Sequence, residues 1–321
     1  MAKPLIIAHR GASGYLPEHT LAAKAYAHAV GADYLEQDVV LTQDGVPIIL
    51  HDIHLDGTTD VQERFPDRAR EDGHFYAIDF TLDEIRQLHA HERVSEQTGE
   101  VVFPDRFGLS SQPLAVQTLE EEIDFIQRLN RSTGRTAGLY VELKQPHFHR
   151  AEGQDITRIV FDLLSRYGYT ERDDLCFIQC FESAPLKRLQ DEMGCKLQLV
   201  QLIGNPGSEG DPEDDYAAMQ TPEGLKEIAS YADGIGPSLA QVINRDARGL
   251  PKVLPLTADA HRQGLVVHPY TFRREYLPAG VTEQMLLSML FEQVGIDGLF
   301  TDFPDSAVAF VKAHEDAEEA H

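Results

Sequence analysis

Short β-rich runs alternate with amphipathic helical windows from one end of this chain to the other, and nothing else in the sequence restricts its fold so tightly. Residues 5–8, 34–40, 138–143, 175–179, 197–202, 234–236, 265–269 and 298–301 have the β-branched and aromatic content of strands. Between them, residues 18–30, 119–131, 154–167, 184–193, 222–232, 256–263, 283–294 and 305–314 repeat apolar positions at helical spacing, several behind a Ser/Thr cap or an opening Pro. Eight such strand-helix units predict an α/β fold, the closed (β/α)8 TIM barrel. The rival, a doubly wound open sheet, lacks its phosphate fingerprint: no strand runs into G-x-G-x-x-G or G-x-x-x-x-G-K-[ST]. The chain has 321 residues, 42% of them apolar, enough to bury the core of a single barrel domain over residues 1–321.

One stretch breaks the alternation. After a hairpin-like run at 46–50, residues from about 54 to 112 carry charge clusters, Pro and Gly, with one capped helix at 81–91. A connection this long is expected to be a small inserted subdomain. Its start directly after His51 and Asp52 sets it where a lid over the barrel mouth would sit; a surface insertion without chemistry is the alternative. The acidic tail at 315–319 reads as a frayed end.

Charge narrows the partners. With 28 Lys and Arg against 53 Asp and Glu, the formal charge is −25, a surface that repels nucleic acid and anionic membranes. An anionic substrate therefore needs a local basic pocket. No apolar run is long enough for a membrane span, and Met1 to Lys3 leads straight into a strand, with no room for a signal peptide. The expectation is a cytoplasmic protein or a mature form whose leader has been removed. Of the three cysteines, Cys176 and Cys180 stand four apart in one strand, roughly 13 Å from each other and too far for a bridge; either could pair with Cys195. Their spacing suits neither metal binding nor nucleophilic catalysis.

A barrel of this kind carries its active site at the C-terminal ends of the strands, so polar residues there are the candidates. The first strand runs out into His9-Arg10-Gly11-Ala12-Ser13-Gly14, an acid/base beside a guanidinium suited to phosphate, in a turn whose glycines let backbone approach a ligand. Glu36 and Asp38, two apart in the second strand, point to the same face. Two buried carboxylates side by side call for a proton or a hard cation. Glu142 adds a third carboxylate from the next strand, and Lys144 on the same face offers a second positive charge. His51, after an apolar run, is the natural partner of His9, because phosphodiester cleavage needs one group to take a proton and another to give one. His147 and His149 could be read as a zinc pair, but no third ligand accompanies them and a loop reading is preferred. Phe181 and Tyr270, at later strand ends, could line a pocket for the carbon skeleton of a substrate.

With these residues in view, the chain resembles the bacterial glycerophosphodiester phosphodiesterases, in particular their exported members. The resemblance rests on several long motifs in order: His9-Arg10-Gly11-Ala12-Ser13-Gly14-Tyr15-Leu16-Pro17-Glu18-His19-Thr20, then Gly31-Ala32-Asp33-Tyr34-Leu35-Glu36-Gln37-Asp38, His51-Asp52, Arg64-Phe65-Pro66-Asp67-Arg68-Ala69-Arg70, residues 76–85, and Gly298-Leu299-Phe300-Thr301-Asp302-Phe303-Pro304-Asp305. It implies a barrel with a small domain inserted at about 54–112, His9 and His51 as the acid/base pair, Glu36, Asp38 and Glu142 as ligands of one divalent cation, and Arg10 and Lys144 as phosphate holders. The implied ion is calcium, with magnesium the alternative; three carboxylates accept either. The implied reaction is hydrolysis of glycerophosphodiesters to glycerol 3-phosphate and an alcohol such as choline, ethanolamine or glycerol. The implied setting is the periplasm with the leader removed, the cytoplasm being the alternative, and a homodimer is the assembly considered. One departure stands out: the family often has Trp where Tyr270 stands, and this chain has no Trp at all, so the wall that meets the alcohol group is reshaped. A surface or ligand-binding protein on the same barrel, and a phospholipase D-like enzyme on lysolipids, are the rival readings.

Overall fold

Strand periodicity sends alternate side chains inward, and the computed structural model closes the strands around them. It describes residues 3–95, 97–108, 114–205, 213–245 and 251–319, with side chains to residue 315. The strands Leu5–Ala8, Tyr34–Leu41, Gly138–Leu143, Cys176–Cys180, Gln198–Ile203, Gly234–Pro237, Val266–Val267 and Gly298–Thr301, here the first to the eighth, lie side by side in chain order, with the eighth returning against the first. All these pairings are parallel. The short seventh strand leaves the ring nearly closed, and the seam to the eighth is carried by Asp297 N to Val267 O (3.0 Å), Phe300 N to Pro269 O (3.1 Å) and Phe272 N to Phe300 O (2.8 Å).

Helices fill the crossovers, and caps set their ends. Helix Leu21–Val30 begins where the Thr20 side chain accepts from Ala23 N and stops at Gly31, whose φ of 98° is the left-handed conformation that ends helices. A reciprocal Thr118–Glu121 box opens helix Leu119–Thr133. The apolar faces of these helices meet the outward faces of the strands in one large core.

Inside the ring the side chains form two layers. Ile7, Tyr34, Tyr140, Phe177, Val200 and Phe300 pack as a floor, with the Tyr140 ring stacked on Phe177 (4.7 Å between centroids) and edge-on to Phe300 (4.9 Å). Two residues further along the same inward faces come Glu36 after Tyr34, Glu142 after Tyr140 and Gln179 after Phe177.

The stretch that interrupts the alternation forms a body of short elements. Strand Pro47–Ile49 pairs antiparallel with the second strand, and Val40, Ile48, Leu50, Leu55, Val61, Phe75, Phe80, Ile85 and Leu88 gather in an apolar cluster apart from the barrel core. The helix expected over 81–91 is only Leu82–Ile85. Beyond it the backbone finds better partners: Asp60 accepts from His89 N (2.7 Å), and Ala90 N donates to Leu114 O (2.7 Å). The far boundary expected for this segment, Gln112, lies outside the described residues.

Three further expectations are corrected. His147 and His149 sit on a helix, Pro146–Ala151, opened by its proline, and not in a loop. All three cysteines are buried free thiols, so Cys195 pairs with neither Cys176 nor Cys180. The acidic tail continues helix Pro304–Glu319 instead of fraying at 315. Among the described residues no helix is long and apolar enough to cross a membrane.

Candidate active site

The first turn after the first strand is built so that backbone, as well as side chains, can face the mouth. Arg10 takes a left-handed φ of 56°, which aims its N–H at Glu36 Oε2 (2.8 Å). Gly11 follows at φ 85°, where a Cβ would sit 2.9 Å from the backbone of Ala23, and a side chain at Gly14 would enter the ring of Phe303. The glycines of the motif are thus required by close packing of the turn against helix Leu21–Val30 and the residues that follow the eighth strand.

Register brings the carboxylates together. Asp38 is paired with Glu142 across the second and third strands, and Glu142 with Gln179 across the third and fourth. Among the described residues, Glu36, Asp38 and Glu142 form the one cluster of potential metal ligands, offering oxygens within 4.8 Å of one another, all buried. Protein groups hold them in place: Gln179 Nε2 donates to Glu36 Oε1 (3.0 Å), whose Oε2 takes the Arg10 N–H, His19 Nε2 meets Asp38 Oδ2 (2.7 Å), and Lys144 Nζ donates to Glu142 Oε1 (2.7 Å). Asp38 Oδ1 is buried with no partner. Behind the second strand the fully buried Lys24 bonds Glu122 (2.7 Å) and the Glu36 carbonyl oxygen, bracing the strand that carries the cluster.

The electrostatics are those of three buried like charges in close contact. Burial, then Asp38 and Glu142, raise the Glu36 carboxyl well above its ordinary range. Burial pushes Glu142 up to about 7 against the pull of Lys144. For Asp38 burial is outweighed by His19 and Lys144, which hold it well below the usual carboxylate range. A cation would remove the mutual repulsion and partner the orphaned oxygen, and an all-carboxylate set suits a hard divalent ion, so the residues present fit one.

The two histidines have matching surroundings. His9 Nδ1 lies 2.6 Å from Asp302 Oδ1, and His51 Nδ1 lies 2.6 Å from Asp52 Oδ1. An ionised carboxylate only accepts, so Nδ1 carries the proton in each ring and Nε2 keeps its lone pair. Burial, reinforced by Arg10, lowers His9 to about 4, and burial with Arg10 and Lys144 lowers His51 to about 3, so both rings are neutral at pH 7. Burial opposes ionisation of Asp302, yet His9, Arg273 and Arg106 hold it well below the usual carboxylate range. His9 Nε2 is 3.9 Å from Glu36 Oε2.

Of the residues singled out in the sequence, His9, Arg10, Glu36, Asp38, His51, Glu142, Phe181 and Tyr270 line one cavity of about 190 Å³ at the C-terminal mouth, together with Gln179, Leu202, Thr271, Arg273 and Phe300. Lys144 does not line it; bonded to Glu142, it borders an adjoining cavity with Phe181 and Tyr270, whose rings meet edge to face at 5.8 Å. The residues to which sequence reasoning gave no role are the partners: Asp302, Asp52, His19, Gln179 and Arg273. Asp52 and His19 had a signal in their adjacency to motif residues, and Asp302 in its place after the eighth strand. Arg273 had none.

Comparison with known proteins places this chain in a family. The model of the glycerophosphoryl diester phosphodiesterase family matches residues 9–306. A Haemophilus influenzae protein named glycerophosphodiester phosphodiesterase is 42% identical over 326 residues, covering 96% of this chain and 90% of its own. A Treponema pallidum protein of the same name is 39% identical over 327 residues, covering 96% and 91%. A solved structure from Silicibacter pomeroyi, assigned to the same family, superposes with a TM-score of 0.68 at 26% identity, covering 97% of this chain and 94% of its own. On its barrel, its mouth and these matches, the chain belongs to the glycerophosphoryl diester phosphodiesterase family.

Proposed function

We propose that this protein hydrolyses glycerophosphodiesters to glycerol 3-phosphate and an alcohol, with His9 and His51 as the acid/base pair and a divalent cation, calcium first and magnesium second, held by Glu36, Asp38 and Glu142. The observation that carries the reading is the pair of histidines, each locked at Nδ1 by an aspartate, lining the same cavity as three buried carboxylates. The names of its relatives supply the substrate class.

The residues divide the work. Arg10 and Arg273 line the cavity and supply the positive charge that an anionic phosphodiester needs in a protein of net charge −25. Lys144, tied to Glu142, acts on the phosphate at longer range and holds that carboxylate in place. When bound, the cation would stabilise negative charge developing on the phosphoryl oxygens. One histidine accepts at Nε2 the proton of the attacking hydroxyl, supplied by the neighbouring glycerol carbon. The other, which takes up a proton from solvent at Nε2 once the anionic phosphodiester is bound beside it, donates that proton to the departing alcohol oxygen as the P–O bond breaks, and water then opens the cyclic phosphodiester with the two roles exchanged. Asp302 and Asp52 stabilise whichever ring is charged. Phe181 and Tyr270 form the wall against which the alcohol group rests.

The test is product identity. Incubated with glycerophosphocholine, the protein should release glycerol 3-phosphate and choline. Release of phosphocholine and glycerol, or no hydrolysis by folded protein with either ion supplied, would overturn the reading.

A further inference from the structure

The segment between His51 and helix Leu119–Thr133 sends two arginines back to the barrel, and each ends on an aspartate that holds a histidine. Arg93 Nη1 donates to Asp52 Oδ2 at 2.6 Å, while Asp52 Oδ1 holds His51. Arg106 Nη2 donates to Asp302 Oδ2 at 2.7 Å, while Asp302 Oδ1 holds His9. The two relays, His51–Asp52–Arg93 and His9–Asp302–Arg106, thus have the same parts in the same order. The two arginines flank one short hairpin: Val94 pairs with Val101, Val102 N donates to Arg93 O (2.9 Å), and Arg106 follows four residues on.

A segment merely resting on the surface would leave its arginines in water. Arg106 has a side chain only 5% exposed, stacked on Phe103 (3.7 Å to the ring centroid) and bonded also to Glu275 (2.8 Å) and to Ser13 O (3.1 Å). Arg93 donates both to Asp52 and, through Nε and Nη2, to the two oxygens of Glu18 (3.0 and 2.7 Å). Glu18 in turn accepts from Arg10 (2.9 Å). Desolvating a guanidinium is costly unless its donors are matched, and a fork that spans two carboxylates is something lysine cannot reproduce.

We propose that Arg93 and Arg106 are positioning residues, through which this hairpin fixes the orientation of both histidines at once, so that the inserted segment is part of the catalytic apparatus. This rests on the reading that His9 and His51 exchange protons. The relays differ in one respect. Asp302 Oδ2 also accepts from Arg273 (2.8 Å), whereas Arg93 alone among the described side chains backs Asp52 Oδ2. Losing Arg106 leaves a substitute donor; losing Arg93 leaves none and also frees Glu18 from its grip on Arg10.

The experiment measures kcat and KM on glycerophosphocholine for Arg93→Ala, Arg106→Ala and, as a control from the same segment, Arg64→Ala, whose side chain among the described residues bonds only Asp60 and His89. Each is read beside its melting temperature and in the presence of added guanidinium. Arg106→Ala should lower kcat about tenfold with KM unchanged; Arg93→Ala should lower it about 100-fold and raise KM, and guanidinium should restore part of kcat in both but alter nothing in Arg64→Ala. Where an alanine variant does not fold, Arg93→Lys and Arg106→Lys replace it, keeping charge but losing the fork, and should show the same ordering. Wild-type kcat in folded variants at both positions, or losses that simply follow the unfolded fraction, would overturn the inference. His9→Ala and His51→Ala are assayed alongside: if both are silent the acid/base reading stands whatever the arginines do, and if either turns over normally it is that reading that falls.

Discussion

The lower and upper layers of the barrel interior are built from the same strands, on the same inward-facing side, and have opposite character. On the second strand Tyr34 is followed two residues later by Glu36, on the third Tyr140 by Glu142, on the fourth Phe177 by Gln179. The floor is aromatic and closes on itself, with Tyr140 sharing contacts with Tyr34, Phe177 and Phe300. The mouth is charged, with a buried carboxylate oxygen left unpartnered. Strand periodicity decides only that a side chain points inward; height along the strand decides whether it serves packing or chemistry. The floor should therefore govern stability, and the mouth should govern activity while contributing little or negatively to stability in the ion-free protein.

The contrast is broken most forcefully at the histidines. His9→Ala and His51→Ala should each lower kcat on glycerophosphocholine by about 10²–10⁴-fold, with the thermal transition nearly unmoved. A melting temperature that fell in step with activity would put these residues with the floor. At the floor the signs reverse: Phe177→Ala removes a buried ring from the aromatic layer and should cost roughly 3–5 kcal/mol in denaturant unfolding, while the protein that remains folded keeps its kcat.

A smaller test uses pH. His268, edge-on to the floor rings and bonded through Nδ1 to Tyr140 (2.8 Å), is lowered by burial to about 4. Its folded value lies below its unfolded one, so the unfolded chain binds the extra proton. Its contribution is complete above about pH 6.5 and is lost as pH falls through about 4, on the order of 3 kcal/mol in all. Unfolding free energies of His268→Gln and wild type should converge as the pH is lowered across that window; a constant gap between them would contradict the assignment. The smallest effect is expected at Glu142→Gln, which relieves like-charge crowding. The ion-free variant should melt at or slightly above the wild-type temperature, yet bind the ion more weakly, by calorimetric titration. Full ion affinity would remove Glu142 from the ligand set.

Local pattern made part of this legible and left part out of reach. The eight strands could be read because each is a short apolar run between turn residues, and the inward carboxylates because the strand repeat is two. His9 and Glu142 stand at strand ends, where a barrel exposes its chemistry. The helix read over 81–91 ended early because hydrogen bonds to Asp60 and Leu114 compete with the helical ladder, and those partners are distant in sequence. The same reason hid the arginines: Arg106 meets Asp302 across 196 positions and Arg93 meets Glu18 across 75, distances over which no periodicity carries information. Lys144 faces the way the strand repeat predicts, but its ammonium is taken by Glu142, two residues away.

The central claim is that the three carboxylates hold the ion the reaction needs. The most direct measurement is glycerol 3-phosphate release from glycerophosphocholine by metal-stripped protein, with calcium and magnesium returned separately, for wild type and for Asp38→Asn. The account predicts a silent stripped enzyme, recovery in wild type with at least one ion, and little recovery in the variant at matched ion concentration. Full activity after stripping, or equal recovery in Asp38→Asn, would contradict it; a folded wild type silent under every condition would turn the interpretation toward a ligand-binding protein built on the same barrel.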